Sequence, residues 1–189
     1  MYIISGPNGA GKTTLSFSIL PEMFECREFI NADEIARGLS PLNPQKARIE
    51  AGRIMLRKID DLMKAQEQFA FETTLASKGY LRLIKKAKQS GYSVTLLFLL
   101  LESVDLAIER VRIRVEEGGH DVEKKDIIRR FERGLRNFFN YYRFQTDRWI
   151  LVENSSEKAT LIGEGSKNHT IIHQKKLWHE LSKRYGQDK

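Results

Sequence analysis

The chain has 189 residues, 41% of them hydrophobic and 30% charged, a mixture that supports one hydrophobic core and excludes a disordered or low-complexity protein. Its longest apolar run, Val94 to Leu101, is about half the roughly 18 residues that cross a bilayer, and Met1-Tyr2-Ile3-Ile4 lacks the basic-then-apolar order of a signal peptide, so a soluble cytoplasmic protein is expected. A single cysteine, Cys26, excludes an internal disulfide and a zinc-thiolate cluster, and a net charge of +7 suits polyanionic partners or phosphorylated small molecules.

In chain order, Tyr2-Ile3-Ile4-Ser5 has a short buried-strand pattern running into a glycine-rich turn, and Lys12 to Leu20 is predicted to be helical up to Pro21. Glu28 to Asn31 is a second strand, after which Asp33 can open a helical turn. Pro41 and Pro44 precede a long helix over about Gln45 to Gln66, with Ile49, Ile54, Leu56, Ile59 and Leu62 as its apolar positions. Phe69 to Glu72 is a third strand, Lys78 to Lys88 a helix ending at Gly91, and Tyr92 to Leu100 the most hydrophobic strand. Two arginine-rich amphipathic helices follow, Val104 to Glu117 and Glu123 to Tyr142, split by Gly118-Gly119. Trp149 to Val152 restores a strand, Thr160 to Ile172 reads as a hairpin, and Leu177 to Tyr185 as a last helix. Strands alternating with helices predict an α/β fold, a mostly parallel sheet flanked by helices, in one domain over 1–189 with a helical lid over about 103–143.

Gly6-Pro7-Asn8-Gly9-Ala10-Gly11-Lys12-Thr13 fits the phosphate-loop pattern G-x-x-x-x-G-K-[ST] in full, between a predicted strand and a predicted helix. Glycines let the backbone wrap closely around phosphate, whose charge the loop N–H groups and the helix N-terminus stabilise. Lys12 is placed to reach the β- and γ-phosphates, Thr13 to ligate Mg²⁺, and residues Gly6 to Thr14 form the ATP-binding set. Transporter ATPases share the string, but the chain has no Ser-Gly-Gly-Gln-type signature, and its strongest strand ends Leu100-Leu101-Glu102-Ser103 rather than in Asp-Glu. No Asn-Lys-x-Asp guanine-reading motif is present, which favours ATP over GTP.

Two carboxylates belong at the carboxyl ends of the strands, where open parallel sheets bind ligands: Asp33 after the second strand and Glu72 at the end of the third. Phosphoryl transfer to a hydroxyl needs a group that accepts or orients its proton, the role assigned to Asp33; a helix N-cap is the alternative. Glu72, with Thr73 beside it, is a candidate for holding the acceptor or a Mg²⁺-bound water, and equally an ordinary strand-end carboxylate. Among the arginines, Arg114 and Arg130 flank the apolar stripes of their helices, with Arg110 close behind, so they can enter a cleft and stabilise the transferring phosphate; a solvated face is the alternative for each. Arg129, Arg133 and Arg136 fall on the outer face. Gly118-Gly119 can hinge a lid or simply cap a helix, and His120 can touch phosphate or lie at the surface.

Together the phosphate loop, Asn31-Ala32-Asp33-Glu34-Ile35-Ala36, Phe71-Glu72-Thr73-Thr74-Leu75 and the stretch Arg110 to Asn137 resemble the zeta-toxin family of P-loop kinases, especially its short stand-alone members. The resemblance implies a three-layer P-loop kinase-like fold and ATP- and Mg²⁺-dependent transfer of the γ-phosphate to a sugar hydroxyl, with UDP-N-acetylglucosamine the acceptor of characterised toxins. It implies Asp33 as catalytic base, Glu72 as acceptor-side carboxylate and the helix arginines as phosphate sensors. Toxin members usually carry longer acceptor-binding insertions and pair with an antitoxin; this chain is compact, and nothing in it identifies an antitoxin. Nucleic acid is the weaker alternative as substrate, since no aromatic-basic interleaving of an RNA-binding module is found. A regulatory ATPase in which ATP binding only moves the helices is the third reading, one that needs no pair such as Asp33 and Glu72.

Overall fold

Strands covered on both faces lose all contact with water, and Ile3, Phe69, Ala70, Phe71, Leu96, Phe98 and Leu99 are fully buried. They belong to a sheet seen in the computed structural model, which describes the chain apart from residues 120, 157, 168 and 187–189. Among the described residues the sheet has seven strands: β1 Tyr2–Ser5, β2 Glu28–Ile30, β3 Phe69–Thr73, β4 Thr95–Leu100, β5 Arg148–Glu153, β6 Thr160–Gly165 and β7 Thr170–Ile172. Their spatial order is β2-β3-β1-β4-β5-β6-β7. The first five in that order run parallel, and the predicted hairpin β6–β7 continues the sheet antiparallel to β5. The α/β, mostly parallel expectation therefore holds.

The helices are α1 Lys12–Met23, α2 Ala32–Leu39, α3 Pro44–Lys64, α4 Tyr80–Gln89, α5 Val104–Glu116, α6 Lys124–Asn137, the single turn α7 Arg143–Gln145 and α8 Lys175–Tyr185. A π-helical turn, Phe138–Tyr142, joins α6 to α7. Chain order departs from β1 on both sides, to β3 and β2 one way and to β4 and β5 the other. That reversal opens a crevice beyond the carboxyl ends of β1 and β3, which are in register through Ile4 opposite Glu72 and Ser5 opposite Thr73.

Several local expectations are corrected. Helix α1 continues through Pro21 to Met23; Pro21 and Phe17 are both exposed, so the carbonyl that loses its intrahelical N–H partner faces water. In α3 the core face is Ala47, Ala51, Met55, Ile59, Leu62 and Met63, while Ile49 and Leu56 are exposed. Small alanines let the helix lie close, and the larger side chains beside them are left outside. Val115 and Ile128, read from helical spacing as part of the buried stripes of the two arginine-rich helices, are likewise exposed. Gly118 adopts φ +82°, its N–H bonds the Val115 carbonyl at 3.0 Å, and the Gly119 N–H bonds the Arg114 carbonyl at 2.8 Å. This paired arrangement is a helix C-cap, the second of the two roles considered for the pair. The expected lid span divides in two: Phe131, Leu135 and Phe138 of its second half are buried in the core, with Phe138 5.1 Å from Phe98 and 5.8 Å from Trp149 between ring centroids.

Candidate active site

The phosphate loop is built by close backbone approach. A Cβ on Gly6, at φ +144°, would sit 2.3 Å from the Leu99 carbonyl oxygen, so only glycine lets the loop leave β1 against β4. Gly9 and Gly11 take φ +79° and +77°, and a Cβ on Gly9 would meet the Ala107 carbonyl of α5 at 3.0 Å. Asn154, at the exit of β5, donates to the Ala10 carbonyl at 2.9 Å. Arg110 donates to the carbonyls of Asn154 at 2.8 Å and Ser155 at 2.6 Å, and reaches Gly9 at 3.4 Å. Its guanidinium thus ties α5 to the loop from outside the crevice.

Inside the crevice Lys12 is buried; its ammonium donates to the Pro7 carbonyl at 2.9 Å and lies 3.5 Å from Glu72 Oε1. Thr13 Oγ1 donates to Glu72 Oε2 at 2.6 Å, and Asn31 Nδ2 donates to the same oxygen at 3.0 Å. The other end of the Asn31 amide, Oδ1, accepts from the Asp33 backbone N–H at 2.9 Å. Asn31 therefore caps α2, and the capping role considered for Asp33 is filled by its neighbour. Asp33 sits in the first turn of α2, where the helix dipole favours its charge.

These groups surround a cavity of about 240 Å³ lined by Asn8, Lys12, Asn31, Asp33, Glu72 and Arg130, with Thr73, Thr74, Tyr80 and Arg48 completing the wall. Arg130 reaches it from α6, 12% exposed, donating to Asn8 Oδ1 at 3.3 Å and lying 3.7 Å from Asp126. Burial pushes its guanidinium below the ordinary arginine range; nearby Arg48 adds to this, while Asp126 and Asp33 oppose it. Gly134 makes that reach possible, since a Cβ there would lie 2.6 Å from the Thr74 carbonyl oxygen. The tip between α5 and α6 rests on α2 and α3, with Arg37 donating to the Gly118 carbonyl at 3.4 Å and Gln45 to that of Asp121 at 3.0 Å.

Lys12, Asp33, Glu72, Thr73 and Arg130 are thus brought together, with Thr13 bonded to Glu72. Arg110 and Arg114 do not line the cavity: Arg114 lies in the last turn of α5 against Gly119. Arg129, Arg133 and Arg136 are exposed as expected, and His120 lies outside the described residues. The sequence reading gave no role to Asn31, Arg48, Tyr80 or Asn154. Only Asn31 carried a local signal, an Asn directly before a helical segment.

The donor set suits a nucleotide and a hard cation. Thr13 and Glu72 offer oxygen donors beside Lys12, and among the described residues no group of three or more His, Cys, Asp or Glu side chains could hold a metal alone, so phosphate oxygens would complete its shell.

The family model described as Zeta toxin matches residues 1–167. A Haemophilus influenzae protein described as uncharacterized is 33% identical over 125 residues, 66% of this chain and 86% of that one. Among solved structures, AvrRxo1-ORF1:-ORF2 with ATP aligns with a TM-score of 0.74 at 14% identity over 96% of this chain; this chain spans 62% of that one. The PezAT toxin-antitoxin system of Streptococcus pneumoniae aligns with a TM-score of 0.66 at 18% identity, covering 100% of this chain and 79% of that one. A gluconokinase from Sinorhizobium meliloti 1021 aligns with a TM-score of 0.50 at 16% identity, over 82% of each chain. The architecture is that of the P-loop kinases.

Proposed function

The chain belongs to the zeta toxin family, and on that premise we propose that residues 1–189 form one ATP- and Mg²⁺-dependent phosphotransferase domain that moves the γ-phosphate of ATP to a hydroxyl of a small-molecule acceptor. One observation carries the reading: a phosphate loop with its lysine, the carboxylates Asp33 and Glu72 and an inserted arginine face one cavity. A pure nucleotide switch needs no acceptor-side carboxylates.

Lys12 and the loop amides bind the phosphates, Lys12 exchanging its contacts with Pro7 and Glu72 for phosphate oxygens. Thr13 and Glu72 would hold Mg²⁺, which would supply charge neutralisation on the phosphates. Asp33 accepts the proton of the attacking hydroxyl from its place in the first turn of α2, on the cavity wall. Arg130 places positive charge beside the loop, where the low dielectric strengthens its attraction to the transferring phosphoryl group. Glu72, Thr73 and Thr74 form the acceptor wall. Arg114 enters only when α5 and α6 draw closer.

An ATP-dependent transfer suits the cytoplasm, where ATP is abundant. Separately, no described helix is long and apolar enough to cross a membrane. The PezAT likeness makes an antitoxin a partner to seek. The test is incubation with γ-labelled ATP and a metabolite panel that includes UDP-N-acetylglucosamine. A labelled hydroxyl compound is the expected product. Label released only as inorganic phosphate would leave a regulatory ATPase, and label on an oligonucleotide end would assign a nucleic-acid kinase.

A further inference from the structure

The wall of the acceptor cavity is held in an unfavourable backbone shape by the helix opposite it. Leu75, two residues beyond β3, has φ +53°, a left-handed conformation costly for a branched, bulky side chain. It is fully buried, so water does not compensate for the strain. Three contacts from α6 and the π-helical turn converge on this segment. Gly134 lies against the Thr74 carbonyl with no room for a Cβ. Asn137, 6% exposed, donates its Nδ2 to the Leu75 carbonyl at 2.7 Å. Tyr142 donates its hydroxyl to the Ser77 carbonyl at 2.5 Å. On the near side Thr73 Oγ1 accepts from the Leu75 N–H at 3.1 Å.

The π-helical turn explains how Asn137 and Tyr142 share this task. Its i→i+5 repeat stacks residue 142 above residue 137, whereas an α-helical continuation would rotate Tyr142 away from the loop. A buried amide, a π turn and a left-handed leucine, each unfavourable alone, meet where the loop leaves Glu72, Thr73 and Thr74 facing the cavity.

We infer that Asn137 is a positioning residue for the acceptor: by fixing Leu75 in its strained turn, it sets where Thr73 and Thr74 stand against the acceptor, and Tyr142 assists through Ser77. The inference rests on the proposed transfer reaction and deepens it. Asn137 touches neither the phosphate loop nor Lys12, so its effect falls on the acceptor and not on ATP.

The test compares the full chain with Asn137→Leu, which keeps volume and removes the donor, and with Tyr142→Phe, which carries the same measurement should the first variant fail to fold. The panel member that gains phosphate serves as acceptor. Expected are an acceptor KM raised by about tenfold to a hundredfold, the scale on which small misplacements act, with the ATP KM within about twofold of the parent. Hydrogen exchange should quicken in the peptide covering residues 72–77 and stay unchanged in that covering the phosphate loop. An unchanged acceptor KM, or exchange that quickens uniformly along the chain, overturns the inference. If no panel member is phosphorylated, the transfer reading fails, and exchange at residues 72–77 still decides whether Asn137 holds the loop.

Discussion

Replacing Asp33 by asparagine separates catalysis from helix capping because Asn31 already provides the cap. Asn31 Oδ1 accepts the Asp33 N–H at 2.9 Å, a backbone contact that the substitution leaves in place. What Asp33→Asn removes is a charge in the first turn of α2, a loss of about 0.3–1 kcal/mol of helix-dipole stabilisation. Loss of a positioned general base lowers turnover by about 10²- to 10⁴-fold, or roughly 2.7–5.4 kcal/mol in the barrier. The kinetic loss thus exceeds the stability loss several-fold. ATP affinity should hold or rise slightly, since removing a negative charge from a cavity that also holds Arg48 and Arg130 strengthens its field for phosphate. The assay is single-turnover transfer of γ-phosphate, with calorimetric ATP binding and urea denaturation as companions. Transfer within about threefold of the parent would refute the role of Asp33 as base.

Lys12→Ala should abolish most ATP binding by calorimetry and nearly all turnover; unchanged binding would sink the phosphate-loop assignment. Arg130→Ala and Arg114→Ala should each cut kcat by about 10²-fold or more, the scale for a lost electrostatic donor, whereas the exposed Arg133→Ala and Arg136→Ala should change it by less than about twofold. Equal losses from all four would point to a diffuse basic surface and a steep salt dependence. Hydrogen bonds from Lys86 and then Lys64 hold the Asp60 carboxyl down at about 2. Because the folded value lies below the ordinary 3.8, this stabilisation is complete above about pH 4 and is lost as pH falls toward 2. Asp60→Asn should therefore flatten the urea midpoint across that window, while an unchanged profile would show that the pairs contribute nothing.

What the sequence disclosed is what is local. The phosphate loop is contiguous, so its spacing and its strand–loop–helix setting were readable together. Asp33 and Glu72 were readable because each follows a strand, and parallel strands carry their ligands at that end. Arg48, Tyr80 and Asn154 join the site from elements far away in sequence, with no nearby pattern to mark them. In α3 the apolar count misled in part, because Ala47, Ala51 and Met55, not Ile49 or Leu56, join Ile59 and Leu62 on its inner face. The π-helical turn escaped notice because five residues are too few for a period to register, and the cap at 118–119 shows only in the backbone dihedrals and hydrogen bonds.

Glu72 accepts from Thr13 and Asn31 and faces Lys12, so the site's lysine and carboxylate neutralise each other. Any anion that enters must displace that internal partner, and measured affinity is the intrinsic phosphate affinity less the cost of the exchange. Two relatives with identical phosphate loops can then differ widely in apparent ATP affinity through the residues around their carboxylate alone.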